Sequence, residues 1–194
     1  MLTVGLNLVQ AMTIERCILA IGLLLSLSCS GSSWPDKYDY QIFKASKQYL
    51  PGVDWKLYKA QLIQESALRP NAVSPAGAKG IAQFMPATWD EVSRQLVIDG
   101  SPFDPHLSIP AGAYYLSKLR RGWIWNRPEL DRHNLALASY NAGFGNLLKA
   151  QRLCSNATLY AEIIKCLPAI TFQHSKETIG YVLTIRRYHK LLRQ

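Results

Sequence analysis

Apolar residues along this chain recur mostly three and four positions apart, and the strict alternation of a half-buried strand is scarce. The spacing predicts a helix over Tyr38–Tyr49, which Pro51-Gly52 breaks before Asp54, a good N-cap for the next helix. In that helix, Trp55–Glu65, the apolar positions include Tyr58 and Leu62. Glu65 continues the same stripe, three residues beyond Leu62 and seven beyond Tyr58. A carboxylate on an apolar face either finds a partner or has its pKa raised by desolvation. Pro70–Gly80 is rich in Pro, Asn, Ser and Gly, too irregular for a helix or strand, and predicts a loop able to wall a cleft. Further helices are expected from Pro86 to Val97, from Ile109 through Leu119 after a Phe103-Asp104-Pro105 turn, from Leu135 to Ala142 with a stop at Gly143 and Gly145, and from Lys176 to Leu192. The expected fold class is mainly α, a compact domain with a cleft.

The amino-terminal stretch departs from this pattern. From Cys17 to Leu27 the chain is apolar without a polar face, preceded by Arg16 and followed by small residues, the layout of a secretory signal. The run is too short to span a bilayer comfortably. Met12 offers an alternative start, with Met12–Arg16 as a compact region before the apolar run. Two cleavage readings stand. Cutting near Ser28 or Gly31 gives a soluble exported domain. Acylation of Cys29 gives a lipoprotein, although Ser26 stands where such signals usually carry Leu. Anchoring through Cys29 or through an uncleaved leader is the alternative to a soluble product, and either way the destination is the periplasm or cell envelope. The domain organisation expected is an export signal over 1–30, a linker over 31–39 and a folded domain over 40–194.

Composition narrows the function classes. Hydrophobic residues make up 48% and charged residues 18% of the 194, a globular balance that disfavours disorder. The formal net charge is +9, and residues 1 to 28 contribute one acid and one base, so the folded part is basic. A basic surface suits polyanions without choosing among them. Zinc-finger spacing, heptad-bearing basic helices and the aromatic signature of an RNA-binding strand are all missing, so nucleic acid is not expected as a partner. Cys154 and Cys166 are the thiols of the expected domain. In an oxidising compartment an even pair tends to cross-link, and a disulfide between them is expected, against the alternative of two separate buried thiols.

Among catalytic sets, His-Glu-x-x-His and Cys-x-x-Cys are absent and the four histidines are dispersed, so no metal or other cofactor is expected. A Gly-x-Ser-x-Gly elbow is absent too, and Gly77-Ala-Lys79-Gly80 lacks the spacing of a phosphate loop. Acid/base work by a carboxylate remains. Asp54 reads as a cap, Asp90 and Glu91 as first-turn residues and Asp104 as a turn residue. Glu65 alone combines an apolar stripe with a neighbouring Gly-rich loop, although a paired structural glutamate would show the same pattern.

The strings Gln64-Glu65-Ser66-Ala67-Leu68-Arg69-Pro70-Asn71-Ala72-Val73-Ser74 and Gly77-Ala78-Lys79-Gly80-Ile81-Ala82-Gln83-Phe84-Met85-Pro86-Ala87-Thr88 closely resemble the first two motifs of the soluble lytic transglycosylase-like domain, kin to goose-type lysozymes. Phe103–Pro105, Ala111–Leu116, Ser139–Gly145 and Glu177–Val182 follow in the family's order and at similar spacing, so the likeness covers about residues 40 to 192. The chain departs from the family's usual Leu-Met at Ile81-Ala82, where the small Ala82 leaves room beside Gln83, and carries Ser139 where Ala is common.

The resemblance implies a lysozyme-like helical fold and cleavage of the bond between N-acetylmuramic acid and N-acetylglucosamine in peptidoglycan glycan strands. Glu65 would protonate the glycosidic oxygen and then act as base while the muramyl 6-hydroxyl closes on the anomeric carbon. A nucleophile supplied by the substrate needs one carboxylate rather than two. The resemblance further implies Ser74, Gln83 and Met85 along the sugar subsites, Tyr140 donating a hydrogen bond near Glu65, Asn141 holding the cleft, and Glu177 and Tyr181 closing its far side. Blander readings remain at this stage: Met85 and Tyr181 as core, Ser74 as a turn residue, Asn141 as a helix cap. Two rival functions also remain, a lysozyme that adds water at the same bond and a non-catalytic wall-binding protein.

Overall fold

The computed structural model describes residues 34–194; the leader, both cleavage sites and Cys29 lie outside the described residues. Nine α-helices and one short 3-10 helix make up the described part. The first five run α1 (Asp39–Tyr49), α2 (Trp55–Ser66), α3 (Pro86–Leu96), α4 (Pro105–Gly122) and α5 (Glu129–Ala142). Then follow α6 (Phe144–Leu153), α7 (Tyr160–Ile163), a 3-10 turn (Ile164–Cys166), α8 (Pro168–Thr171) and α9 (His174–Leu192). None of them is long and apolar enough to cross a membrane.

The sequence of α2 dictates its place. Leu57 through Ile63 are buried without a gap, so this helix has no solvent face and must sit at the centre. It packs most extensively on α9 and also on α1, while α4 packs on α1 and α5, and α5 on α9 and α6. Even Lys59 is inside, paired at 2.5 Å with Asp39 of α1, which supplies the counter-charge a buried ammonium requires. Asp54 caps α2 as expected, its carboxylate accepting from the Lys56 amide at 3.0 Å.

The reach of Tyr58 from α2 to α4 depends on a missing side chain. A Cβ on Gly112 would lie 2.5 Å from the Tyr58 hydroxyl and 3.1 Å from the Ala82 Cβ. That hydroxyl is held in place by its bond to the Ile109 carbonyl at 2.6 Å. Ala82 is fully buried, so its small size accommodates this helix contact and opens no room for a sugar beside Gln83, contrary to the expectation from sequence.

Other differences have local causes. The stretch expected as linker is packed in part: Trp34 meets Tyr188 of α9 edge-on at 5.4 Å, and Tyr38 is buried. Gly145 does not stop a helix but lies inside α6. Gly143, at φ +87°, takes the sharp turn that separates α5 from α6. Helix α4 begins at Pro105, where a missing N–H costs nothing, and Asp104 accepts from the His106 amide at 2.8 Å. Cys154 at the end of α6 is bonded to Cys166 at the end of the 3-10 turn, closing the excursion that contains α7.

Candidate active site

Glu65 lies one residue from the carboxyl end of α2, on the face shared with Tyr58 and Leu62. Beyond it the chain leaves the helix through two consecutive left-handed residues, Ala67 and Leu68. Ser66 fixes this exit: its hydroxyl donates to the Ile81 carbonyl at 2.9 Å and accepts from the Arg69 amide at 3.2 Å. The following loop is more ordered than its composition suggests. Val73 bridges Lys79, and Lys79 exchanges two 2.9 Å backbone bonds with Phe84. Gly80, at φ +78°, passes so near the Pro102 carbonyl that a Cβ would fall 1.9 Å from its oxygen. The loop is thereby pinned beside the Glu65 end of α2.

Three tyrosines from different elements surround the carboxylate, and their protons go to different places. Tyr58 of α2 donates to Ile109, Tyr140 of α5 donates to the Ala82 carbonyl at 2.8 Å, and Tyr181 of α9 donates to Glu65 itself. Tyr140 was expected to donate a hydrogen bond near Glu65, and it donates to the Ala82 carbonyl. The bond to Glu65 itself comes from Tyr181, because α2 and α9 lie against each other along their lengths while Tyr140 reaches toward the loop. Tyr181, expected on the far side of the cleft, is buried, with its hydroxyl on the carboxylate.

Burial among these rings pushes the Glu65 pKa up to about 8, although the Tyr181 hydroxyl bonded to it and the Gln61 amide beside it pull it down. Among the described residues, no second carboxylate contributes to the shift. The carbonyl end of α2 points the same way, since a helix C-terminus disfavours negative charge. Burial and the Glu65 charge together raise the pKa of all three tyrosines well above the usual value, so each remains a hydrogen-bond donor at neutral pH.

The other residues singled out from sequence sort into two groups. Gln83 sits at φ +49° and ties its amide nitrogen to the carbonyls of Gly80 (2.8 Å) and Ala72 (3.2 Å), so it braces the loop. Ser74 accepts from the Ala78 amide at 3.0 Å, the turn role that was its alternative reading. Met85 is 43% exposed just before α3, which rules out core packing. Asn141 does not cap α5; it accepts from the Thr178 hydroxyl at 2.7 Å and donates to Glu177 at 3.4 Å. Asn141 and Glu177 line a cavity of about 430 Å³ together with Asn146, Phe172, His174 and Thr178. Thr178 lies one turn of α9 before Tyr181.

Sequence reasoning missed Gln61, buried one turn before Glu65, and passed over Tyr115. Tyr115 stacks edge-on against Tyr140 at 5.2 Å and leans on Phe84 at 6.3 Å, linking α4 to the loop and α5. Gln61 was legible only as the position four before Glu65 on the same helix.

Residues 41–161 match the model of the transglycosylase SLT domain. The chain belongs to this family. A curated relative is the membrane-bound lytic murein transglycosylase F of Marinobacter nauticus, 35% identical over 157 residues, a match covering 73% of this chain and 30% of the relative. Among solved structures, the transglycosylase SLT domain described here is similar to an inactive mutant of the lytic transglycosylase Slt from Pseudomonas aeruginosa. The TM-score is 0.64 at 26% identity, over 82% of this chain and 25% of that one. It is similar also to the 70-kDa soluble lytic transglycosylase in complex with bulgecin A, with a TM-score of 0.63 at 26% identity, over 82% and 24%. The chain thus spans about a third or less of the proteins it resembles. The mainly helical, lysozyme-like fold expected from sequence is the fold observed.

Proposed function

We propose that this chain is a lytic transglycosylase of peptidoglycan, with Glu65 as its single acid/base group. The observation that carries this reading is the Glu65 carboxyl set among Tyr58, Tyr140 and Tyr181, bonded to Tyr181 and without a carboxylate partner among the described residues; burial pushes its pKa up to about 8, so it is protonated at neutral pH. Its proton passes to the glycosidic oxygen as the bond from the muramyl anomeric carbon to that oxygen breaks. The resulting carboxylate then takes the proton of the muramyl 6-hydroxyl as that oxygen bonds to the anomeric carbon. The products are a free 4-hydroxyl and a 1,6-anhydromuramyl end, and no water is consumed. Tyr181 holds the carboxylate in place through both steps. Ser74, Gln83, Met85, Tyr140, Asn141 and Glu177 border the glycan, with Gln83 and Ser74 acting mainly by shaping the loop.

Export to the periplasm or cell envelope belongs to the same proposal. It is supported by the apolar stretch Cys17–Leu27, by a disulfide that suits an oxidising compartment, and by the membrane-bound relative. The test is digestion of purified peptidoglycan by the protein and by Glu65→Gln, with the muropeptide ends read by mass spectrometry without prior reduction. Ends one water lighter than reducing ends, absent with the variant, are expected. Reducing ends from the parent protein would make it a hydrolase, and intact glycan from folded protein would overturn the enzymatic reading.

A further inference from the structure

Gln61 presents a problem that the mechanism above does not use. It sits at the position four before Glu65 on α2, so the two side chains share one face of the helix. It is 1% exposed, yet neither its Oε1 nor its Nε2 has a hydrogen-bond partner among the described residues. Buried side-chain amides are ordinarily satisfied, and one left open beside a functional group calls for a reason. Its neighbours are the Glu65 carboxyl and the Tyr181 hydroxyl, and the amide acts on both.

We propose that Gln61 is a positioning residue that takes the Glu65 carboxylate as its partner once the proton has gone to the leaving oxygen; this rests on the acid/base reading of Glu65. In the acid form one Glu65 oxygen accepts from Tyr181 and the carboxyl proton faces the glycan. After proton transfer the carboxylate gains acceptor capacity that Tyr181 alone does not fill. The Gln61 amide is already inside, at the right turn of the helix, and its Nε2 supplies the second donor without admitting water. Its open state before reaction and its paired state after it mean that the contact favours the step in which charge appears. The titratable groups facing Glu65 are Tyr58 of α2, Tyr140 of α5 and Tyr181 of α9, with Tyr115 of α4 behind Tyr140. None of these carries charge at neutral pH, so the amide has no ionic competitor among the described residues.

The test is Gln61→Met, which keeps the volume and removes both polar atoms, with Gln61→Leu as a second apolar variant. Three quantities are read: the melting temperature, the pH profile of kcat/KM on peptidoglycan, and the titration of the Glu65 carboxyl carbon in ¹³C-labelled protein. We expect a melting temperature unchanged or higher, because an open buried amide is removed. We also expect a kcat about tenfold lower with KM held, and a Glu65 midpoint and basic limb both moved up by roughly half a unit to one unit. An unmoved Glu65 midpoint in either folded variant, whatever the change in melting temperature, would overturn the proposal. The titration needs no turnover, so a protein inactive on peptidoglycan would refute the proposed function while the carboxyl shift still reports on Gln61.

Discussion

Helix α2 carries a carboxylate at each end, and the two behave in opposite ways. Asp54, at the amino end, is half-exposed, accepts from the Lys56 amide and meets His189 of α9 at 2.8 Å. Burial works against its charge, but the bonds from His189 and Lys56 win and hold its pKa below the ordinary value. Glu65, at the carboxyl end, faces the same helix α9, yet the partner there is a neutral tyrosine hydroxyl, and burial wins. The helix dipole deepens the contrast, since it favours charge at Asp54 and opposes it at Glu65. One helix pair therefore holds a carboxylate that stabilises the fold and another that is poised to exchange a proton. The neighbour's charge and the depth of burial decide which is which.

The sharpest way to break this contrast is Glu65→Gln. Turnover should fall by about 10² to 10⁴, or roughly 3 to 5 kcal/mol of transition-state stabilisation, read as initial rates on peptidoglycan. The same variant should be more stable than the parent. A folded pKa of about 8 against 4.5 unfolded means the native state binds more protons between those values, so the parent loses stability as pH rises through that window. The advantage of Gln should grow from pH 4.5 to about 8 and then level off, reaching on the order of 1 to 3 kcal/mol after solvent screening. Equal stability of the two proteins at pH 8 would mean that Glu65 is not held in its acid form.

Next in size is Gly112→Ala, which presses on the Tyr58 hydroxyl midway along α2. A cost of about 1 to 3 kcal/mol is expected in chemical denaturation, because that hydroxyl is fixed by Ile109 and Ala82 closes the other side. Tyr181→Phe should lower kcat about tenfold and move the basic limb of the pH profile upward, since a donor that lowers the Glu65 pKa is gone. A profile that shifts downward would contradict that role. Asp54→Ala should have the smallest effect, about 1 kcal/mol of stability from the lost cap. The Asp54 contribution is present above the unfolded carboxylate pKa and is lost as pH falls through its lowered folded value. Turnover at neutral pH should be unchanged.

Both ends of α2 were legible in the sequence: Asp54 as a cap before an apolar run, and Glu65 as a carboxylate on the Tyr58–Leu62 stripe. Local chemistry determines such features, so they survive without a structure. What the sequence did not show depends on the packing of separate helices. Whether Tyr140 or Tyr181 donates to Glu65 is decided by where α5 and α9 cross α2, and both lie in motifs that look equally functional. Residue 82 was misread because Gln83 takes a left-handed conformation, after which Ala82 faces the core and Gln83 faces the loop carbonyls. Helix α6 was hidden by Gly143 and Gly145, where only the first marks a turn. Gln61 passed unnoticed because a polar residue in a helix is ordinarily read as its solvent face, and α2 has none.

The most direct test of the acid/base assignment is titration of the Glu65 carboxyl carbon in ¹³C-labelled protein, with Asp54 followed in the same spectra as an internal reference. A Glu65 midpoint near 8, with Asp54 below the ordinary carboxylate value, is the expected result. A Glu65 midpoint near 4.5 would mean that the carboxyl is already ionised at neutral pH and has no proton to give.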